Sequence, residues 1–155
     1  MAFPAISALK QTPFFHNAIQ QNKVASGVFA FYLAESGSEL HLGGTSPQHY
    51  DGPIEYHPVL DMESKNKRET AFWLLGDAEV DVNGKNVLSP IMTIIDSGTS
   101  LIFGPPAEVA KVYAQVPGSQ ALTGPLYGMY SFPCKNVPKV SFKWGGKAWT
   151  ISEAR

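Results

Sequence analysis

Apolar positions along this chain come in short bursts separated by turn residues, and helical spacing is confined to a few of them. Val109, Val112, Tyr113 and Val116 recur at intervals of three and four, which predicts a helix near Pro105 to Gln115 with a proline in its first turn. A second helix is expected near Thr12 to Lys23. The other bursts are β-branched or aromatic. Phe72 to Asp77 reads as an aromatic strand, and Glu79 to Val82 continues toward Asn83-Gly84, the dipeptide of a tight hairpin turn leading into Val87 to Ile95. Asp77 and Asp81 are expected to decorate a turn: four residues apart in a strand, they lie too far apart along the backbone to act as a carboxylate pair. Glu63-Ser64-Lys65-Asn66-Lys67-Arg68-Glu69 is a charged run and reads either as a solvated loop or as an error in the sequence.

Composition narrows the class. With 155 residues, 44% hydrophobic and 12% aromatic, the chain can bury one core and is not disordered in composition. Fourteen Gly and twelve Pro, spread between the β-type runs, favour a mainly β architecture with short helices. There is no internal repeat. The formal charge is −1, and the one basic cluster is flanked by Glu63 and Glu69, so nothing here makes a footprint for nucleic acid. No apolar run reaches the length that spans a bilayer, and no membrane role is expected.

The most chemically pointed stretch is Thr93-Ile94-Ile95-Asp96-Ser97-Gly98-Thr99-Ser100. An Ile-rich strand delivers Asp96 onto a glycine turn rich in hydroxyls, and a carboxylate at a strand end stays charged only if donors satisfy it. Gly98, with backbone angles closed to other residues, lets neighbouring N–H groups approach Asp96, and Thr99 can donate from its side chain. The stretch resembles the Asp-Thr/Ser-Gly-Thr/Ser signature of pepsin-like aspartic peptidases. Leu101-Ile102-Phe103-Gly104-Pro105-Pro106 and the helix after it follow the order of that family's second lobe.

The resemblance runs upstream over nearly the whole chain. Ala2-Phe3-Pro4-Ala5-Ile6-Ser7 and Thr12 to Lys23 are similar to a segment and helix late in the first lobe. Gly27 to Leu33, a turn at Ser36 to Ser38, and Glu39 to Gly44 resemble the hairpin entering the sheet that joins the lobes. Tyr50 to Val59 resembles the crossover to the second lobe. The implied fold is mainly β, a partial bilobal pepsin-like (acid protease) β-barrel with short helices. Residues 1–50 would form the end of the first lobe and the inter-lobe sheet, and 51–155 the first part of the second lobe. Phe72-Trp73-Leu74-Leu75-Gly76-Asp77 matches a later family segment only in composition; it precedes Asp96 and is taken as the strand before the catalytic loop. Relatives run a shorter connection where this chain has Leu60 to Ala71.

What the resemblance implies chemically is acid proteolysis by an activated water. Asp96 would be one of two catalytic aspartates, with loop support from Ser97, Gly98, Thr99 and Ser100. Thr99 would orient the outer oxygen of Asp96, Ser97 would tie the loop to the opposite lobe, and Gly98 would offer backbone contacts to substrate. Substrate-binding candidates are Gly98, Thr99, Ile94 and Phe72, with core packing the simpler role for the last two. The partners implied are a peptide or protein substrate and a first lobe supplying the second aspartate; no cofactor is implied. Only Asp96 lies in such a loop, neither the flap tyrosine nor the late apolar-apolar-Gly segment is found, and truncation at both ends is expected, leaving the chain inactive alone. Two alternatives stand beside this: a homodimeric peptidase of retroviral type, and a non-catalytic pseudoenzyme lobe or peptide-binding β module.

Other chemistries lack their residues. His16, His41, His49 and His57 have no zinc-ligand spacing and read as surface or strand histidines. There is no Gly-x-Ser-x-Gly elbow and no phosphate-binding glycine loop. Met1 to Leu9 makes a poor signal peptide, no Asn-x-Ser/Thr sequon occurs, and the single cysteine, Cys134, forms no internal disulfide. Cys134 is either a small buried thiol or, as the resemblance suggests, half of a disulfide to a later cysteine. The resemblance implies a secreted or vacuolar parent protein.

Overall fold

A computed structural model describes residues 1, 3–64 and 67–151. Their backbone contacts divide the chain into two compact units, Met1–Tyr56 with Asp61–Phe72, and His57–Leu60 with Trp73–Arg155.

The first unit is organised by aromatic residues. After a 3-10 turn at Pro4–Ile6, helix α1 (Phe14–Gln20) starts behind Pro13 and is shorter than the Thr12 to Lys23 expected, with Asn22 in the left-handed region just beyond its end. Phe15 is the buried residue of α1 and meets Phe29 edge-on, with ring centroids 5.0 Å apart. Phe29 opens β1 (Phe29–Tyr32), which pairs antiparallel with β2 (Glu39–Leu42) in the register Phe29 to Leu42 and Tyr32 to Glu39. The Ser26 hydroxyl donates to the Gly43 carbonyl at 2.8 Å and closes the open end of this hairpin. A second 3-10 turn, Pro47–His49, follows.

Of the charged run read as a loop, Lys65 and Asn66 lie outside the described residues, and the residues on either side of them are paired strands rather than loop. β3 (Met62–Ser64) pairs antiparallel with β4 (Lys67–Glu69), and the register sets Glu63 opposite Arg68. Opposite charges on facing strands favour that pairing. The Thr70 hydroxyl donates to Asp61 at 2.6 Å and Arg68 pairs with the same carboxylate at 3.4 Å, tying the base of the hairpin. Lys67 and Arg68 stay largely in solvent, as the charge pattern implies.

The second unit is built on β5 (Leu74–Val82) and β6 (Lys85–Ile94). Asn83 and Gly84 both take positive φ, as the two-residue turn requires. β6 is followed by α2 (Pro106–Tyr113), the pair β7 (Gln120–Ala121) and β8 (Tyr130–Ser131), then β9 (Val140–Lys143) and β10 (Trp149–Thr150). The main sheet is antiparallel in the order β10-β9-β5-β6. Leu74, Ala78, Val80 and Val82 turn to the core on one face of β5, joined by Leu88 of β6 and by Val116 beyond α2. α2 packs on β6, and Tyr113 stacks on Tyr130 with centroids 4.3 Å apart.

Asp77 and Asp81 do not decorate a turn; both lie inside β5. Asp77 has a φ of 55° where the β5–β6 register shifts, the mark of a bulge. Asp81 is only 5% exposed, on the face opposite the valines. It ion-pairs with Lys143 of β9 and accepts from the Asn86 amide at 3.2 Å. That pairing is what lets a carboxylate sit in the sheet.

Candidate active site

The Asp96 loop begins where β6 ends. Leu74 faces Ile94 in the β5–β6 ladder, and one step further the Ile95 N–H donates to the Trp73 carbonyl at 2.9 Å. Backbone pairing therefore holds the chain up to the residue before Asp96. The strand side of this support is braced by Trp144, whose indole N–H donates to the Thr93 hydroxyl at 2.9 Å while its ring lies beside Phe142.

At Ser97 and Gly98 the chain turns back on the carboxylate. The Gly98 N–H donates to Asp96 Oδ1 at 2.8 Å, and the Thr99 hydroxyl donates to Oδ2. Each oxygen of Asp96 thus has its own donor. The Thr99 hydroxyl first, and the Gly98 N–H second, hold the Asp96 carboxyl below the usual carboxylate range, with partial desolvation opposing them. Gly98 is needed for a different reason from the one its backbone freedom suggests. Its φ lies outside the left-handed region, but a Cβ there would stand 3.2 Å from Asp96 Oδ1. Close approach, not an unusual backbone angle, is what the glycine permits.

Asp96, Ser97, Gly98, Thr99 and Ser100 form one continuous exposed loop, with Ile94 about half exposed at the end of β6. Phe72 belongs to the first unit, half-buried beside the buried Ala71. After the loop, Leu101, Ile102 and Phe103 are exposed, and the chain then enters α2 with Pro106 in its first turn. Sequence reasoning did not single out the Trp73 carbonyl or the Trp144 indole as supports of the loop. The first is a backbone group, and the second depends on Thr93 and Trp144 meeting across 51 positions. Cys134 is exposed, which excludes the small buried thiol. Among the described residues, no group of three or more His, Cys, Asp or Glu side chains is arranged to hold a metal ion.

The family model of the eukaryotic aspartyl proteases matches residues 1–155. This chain belongs to the eukaryotic aspartyl proteases. Its strands, its two α-helices and the lack of a closed barrel among the described residues are those of a partial pepsin-like lobe. Similar proteins include an aspartic protease of Phaffia rhodozyma, 39% identical over 156 residues, covering 97% of this chain and 36% of that protein. Cathepsin D of Canis lupus familiaris is 36% identical over 162 residues, covering 98% of this chain and 37% of its own length. Secreted aspartyl protease 1 of Malassezia globosa is 36% identical over 158 residues, covering 99% and 36%. This aspartyl protease chain therefore spans little more than a third of the relatives it matches.

Proposed function

We propose that this chain contributes one of the two catalytic carboxylates of an aspartic endopeptidase that hydrolyses peptide bonds at acidic pH. The observation that carries the reading is Asp96 at the end of a paired strand with a separate donor on each oxygen, Gly98 N–H on one and the Thr99 hydroxyl on the other. The second aspartate would come from a part of the first lobe outside these 155 residues, since Asp96 is the one aspartate here in an Asp-Ser-Gly-Thr loop.

Two carboxylates in contact cannot both ionise cheaply, so the pair holds one proton between them. The ionised member takes a proton from a trapped water, and the oxygen so activated attacks the scissile carbonyl carbon. The protonated member gives its proton to the carbonyl oxygen, leaving a tetrahedral diol. Collapse of the diol breaks the C–N bond as the amine nitrogen takes up a proton, and no bond to the enzyme is formed. Donors that favour an ionised Asp96 keep this chemistry available in acid. Thr99 would orient its outer oxygen, Ser97 and Ser100 would support the loop, Gly98 would meet substrate backbone, and Ile94 and Phe72 would contribute apolar walls. The substrate would be a peptide or protein. A secreted location is supported by the name of the Malassezia globosa relative, and a vacuolar one would follow only from the family resemblance.

The test joins this chain to the upstream and downstream parts of the Phaffia rhodozyma protein and measures cleavage of a peptide at acidic pH. Pepstatin-sensitive cleavage that disappears with Asp96→Asn is the expected result. Full activity with Asn at position 96 overturns the assignment, and pepstatin-sensitive cleavage by the 155-residue chain alone would replace the two-lobe reading with a homodimer.

A further inference from the structure

The end of the sheet that carries Asp96 has little pairing of its own. β6 is the edge strand in the order β10-β9-β5-β6, so among the described residues its ladder partner is β5 alone. Near the loop that ladder is short. Leu74–Ile94 and Leu75–Thr93 are in register, but the register then shifts: from Leu75 to Ala78 is three residues on β5, and from Thr93 to Ile91 is two on β6. Asp77, with its φ of 55°, lies in that bulge. The β5–β9 register runs from Val82–Val140 to Glu79–Lys143 and stops there. The pairs next to the loop, with Ile95 bonded to Trp73 beyond them, are therefore separated by a bulge from the body of the sheet and lie past the end of β9.

Trp144 spans that gap. It is the residue immediately after β9 and is half-buried, its ring stacked on Phe142 with centroids 6.0 Å apart and tilted against His57 at 6.0 Å. An indole N–H can only donate, and this one gives to the Thr93 hydroxyl oxygen at 2.9 Å. The hydroxyl keeps its own proton to give, and the Leu75 carbonyl oxygen lies 3.5 Å away. One hydroxyl on β6 thus joins an indole from the end of β9 to a carbonyl of β5, at the pair beside the bulge. Valine suits a strand as well as threonine does, but it could make neither contact.

We propose that Trp144 is a positioning residue for Asp96: through the Thr93 hydroxyl it carries the rigidity of the β5–β9 ladder across the bulge to the strand end that presents the carboxylate. Its catalytic meaning rests on the reading of Asp96 as one of a pair of catalytic carboxylates; the tether itself does not. Trp144 donates to Thr93 and not to the carboxylate, whose own donors, Gly98 and Thr99, belong to the loop and travel with it. What the tether fixes is the direction in which the carboxylate leaves the sheet, and so its placement against a second aspartate and the water they share. Misplacing a reacting group by about 1 Å can cost about 100-fold in rate, so even a slight loosening here should appear in turnover rather than in substrate binding.

Hydrogen exchange of the 155-residue chain, read amide by amide by NMR, tests the tether. In Thr93→Val the Ile95 amide should exchange about threefold to tenfold faster, the range for loss of one neutral hydrogen bond, while the amides paired between β5 and β9 keep their rates. Trp144→Phe keeps a ring beside Phe142 and should act alike. The Thr93→Val/Trp144→Phe double variant should be no faster than the faster single one, because each removes the same bond. Thr93→Ser keeps the hydroxyl and should keep the slow rate. In the joined two-lobe enzyme Thr93→Val should lower kcat by about threefold to tenfold with KM within about twofold, and Thr93→Ser should hold kcat. An unchanged Ile95 amide in Thr93→Val, equal acceleration throughout β5 and β9, or effects that add in the double variant overturns the proposal, as does a kcat indifferent to Thr93→Val in an active joined enzyme. If Trp144→Phe does not fold, the threonine variants decide: acceleration with Val but not with Ser supports the tether, and equal acceleration in both overturns it. An unmodified joined enzyme that cleaves nothing would sink the catalytic reading instead, and the exchange rates alone would then decide the tether.

Discussion

Replacing Leu74 by Ala should loosen the second unit from the point where β5 supports the Asp96 loop. Leu74 is 5% exposed, whereas Ile94, its partner in the ladder, is 48% exposed. Truncating a fully buried Leu removes three carbons at about 0.8 kcal/mol each and leaves a cavity, so the loss should be about 3 kcal/mol. Ile94→Ala removes the same number of carbons from a site half open to water and should cost only about 1 kcal/mol. All three tryptophans, Trp73, Trp144 and Trp149, lie in the second unit, so tryptophan fluorescence in urea reports that unit alone. The Ile95 amide, bonded to the Trp73 carbonyl one residue before Asp96, should exchange about 100-fold faster in Leu74→Ala if it opens with the unit. A loss below about 1 kcal/mol for Leu74→Ala, or one no larger than for Ile94→Ala, would refute the argument that the ladder's buried side anchors the loop.

Thr99→Val removes the hydroxyl donor on Asp96 Oδ2 while nearly keeping shape, so the Asp96 carboxyl should titrate higher, toward the ordinary range; a carbonyl-detected NMR titration of the side chain checks the direction. In the joined two-lobe enzyme the same change should lower turnover about tenfold with little effect on folding, measured as kcat against KM. The Asp81–Lys143 pair sets a second pH dependence. Lys143 first, then Asn86, hold the Asp81 carboxyl low, so the pair's contribution is present above the ordinary aspartate value and is lost as pH falls through the depressed one. Asp81 in turn raises Lys143, so the same contribution is lost in strong alkali as pH rises through that raised value. Thermal midpoints from acid to neutral pH should show a flatter acid limb in Asp81→Asn. Cys134→Ser should change stability by less than about 0.5 kcal/mol in this chain because the thiol is exposed, and a thiol reagent should titrate Cys134 without denaturant.

The Asp96 loop was legible in the sequence because its chemistry is local. An Ile-rich strand, a carboxylate, a glycine and a threonine three residues on are enough to define which groups can donate to which oxygen, and the donors prove to be Gly98 and Thr99. The Asn83-Gly84 turn was legible for the same reason, since two consecutive positive φ angles suit few other residues. Tertiary structure decided what depends on partners distant in the chain. Asp81 looked like a turn residue because nothing near it announces Lys143, 62 positions later by subtraction of their numbers, and only the β5–β9 register brings that cation to it. The charged run from Glu63 to Glu69 looked like loop because charge predicts solvent, yet charge also pairs strands when the register sets Glu63 opposite Arg68. Glu39 and His41 share a strand face by their spacing alone. His49 meets the Glu39 carboxylate only because a 3-10 turn returns the chain, and no periodicity along the sequence encodes that return.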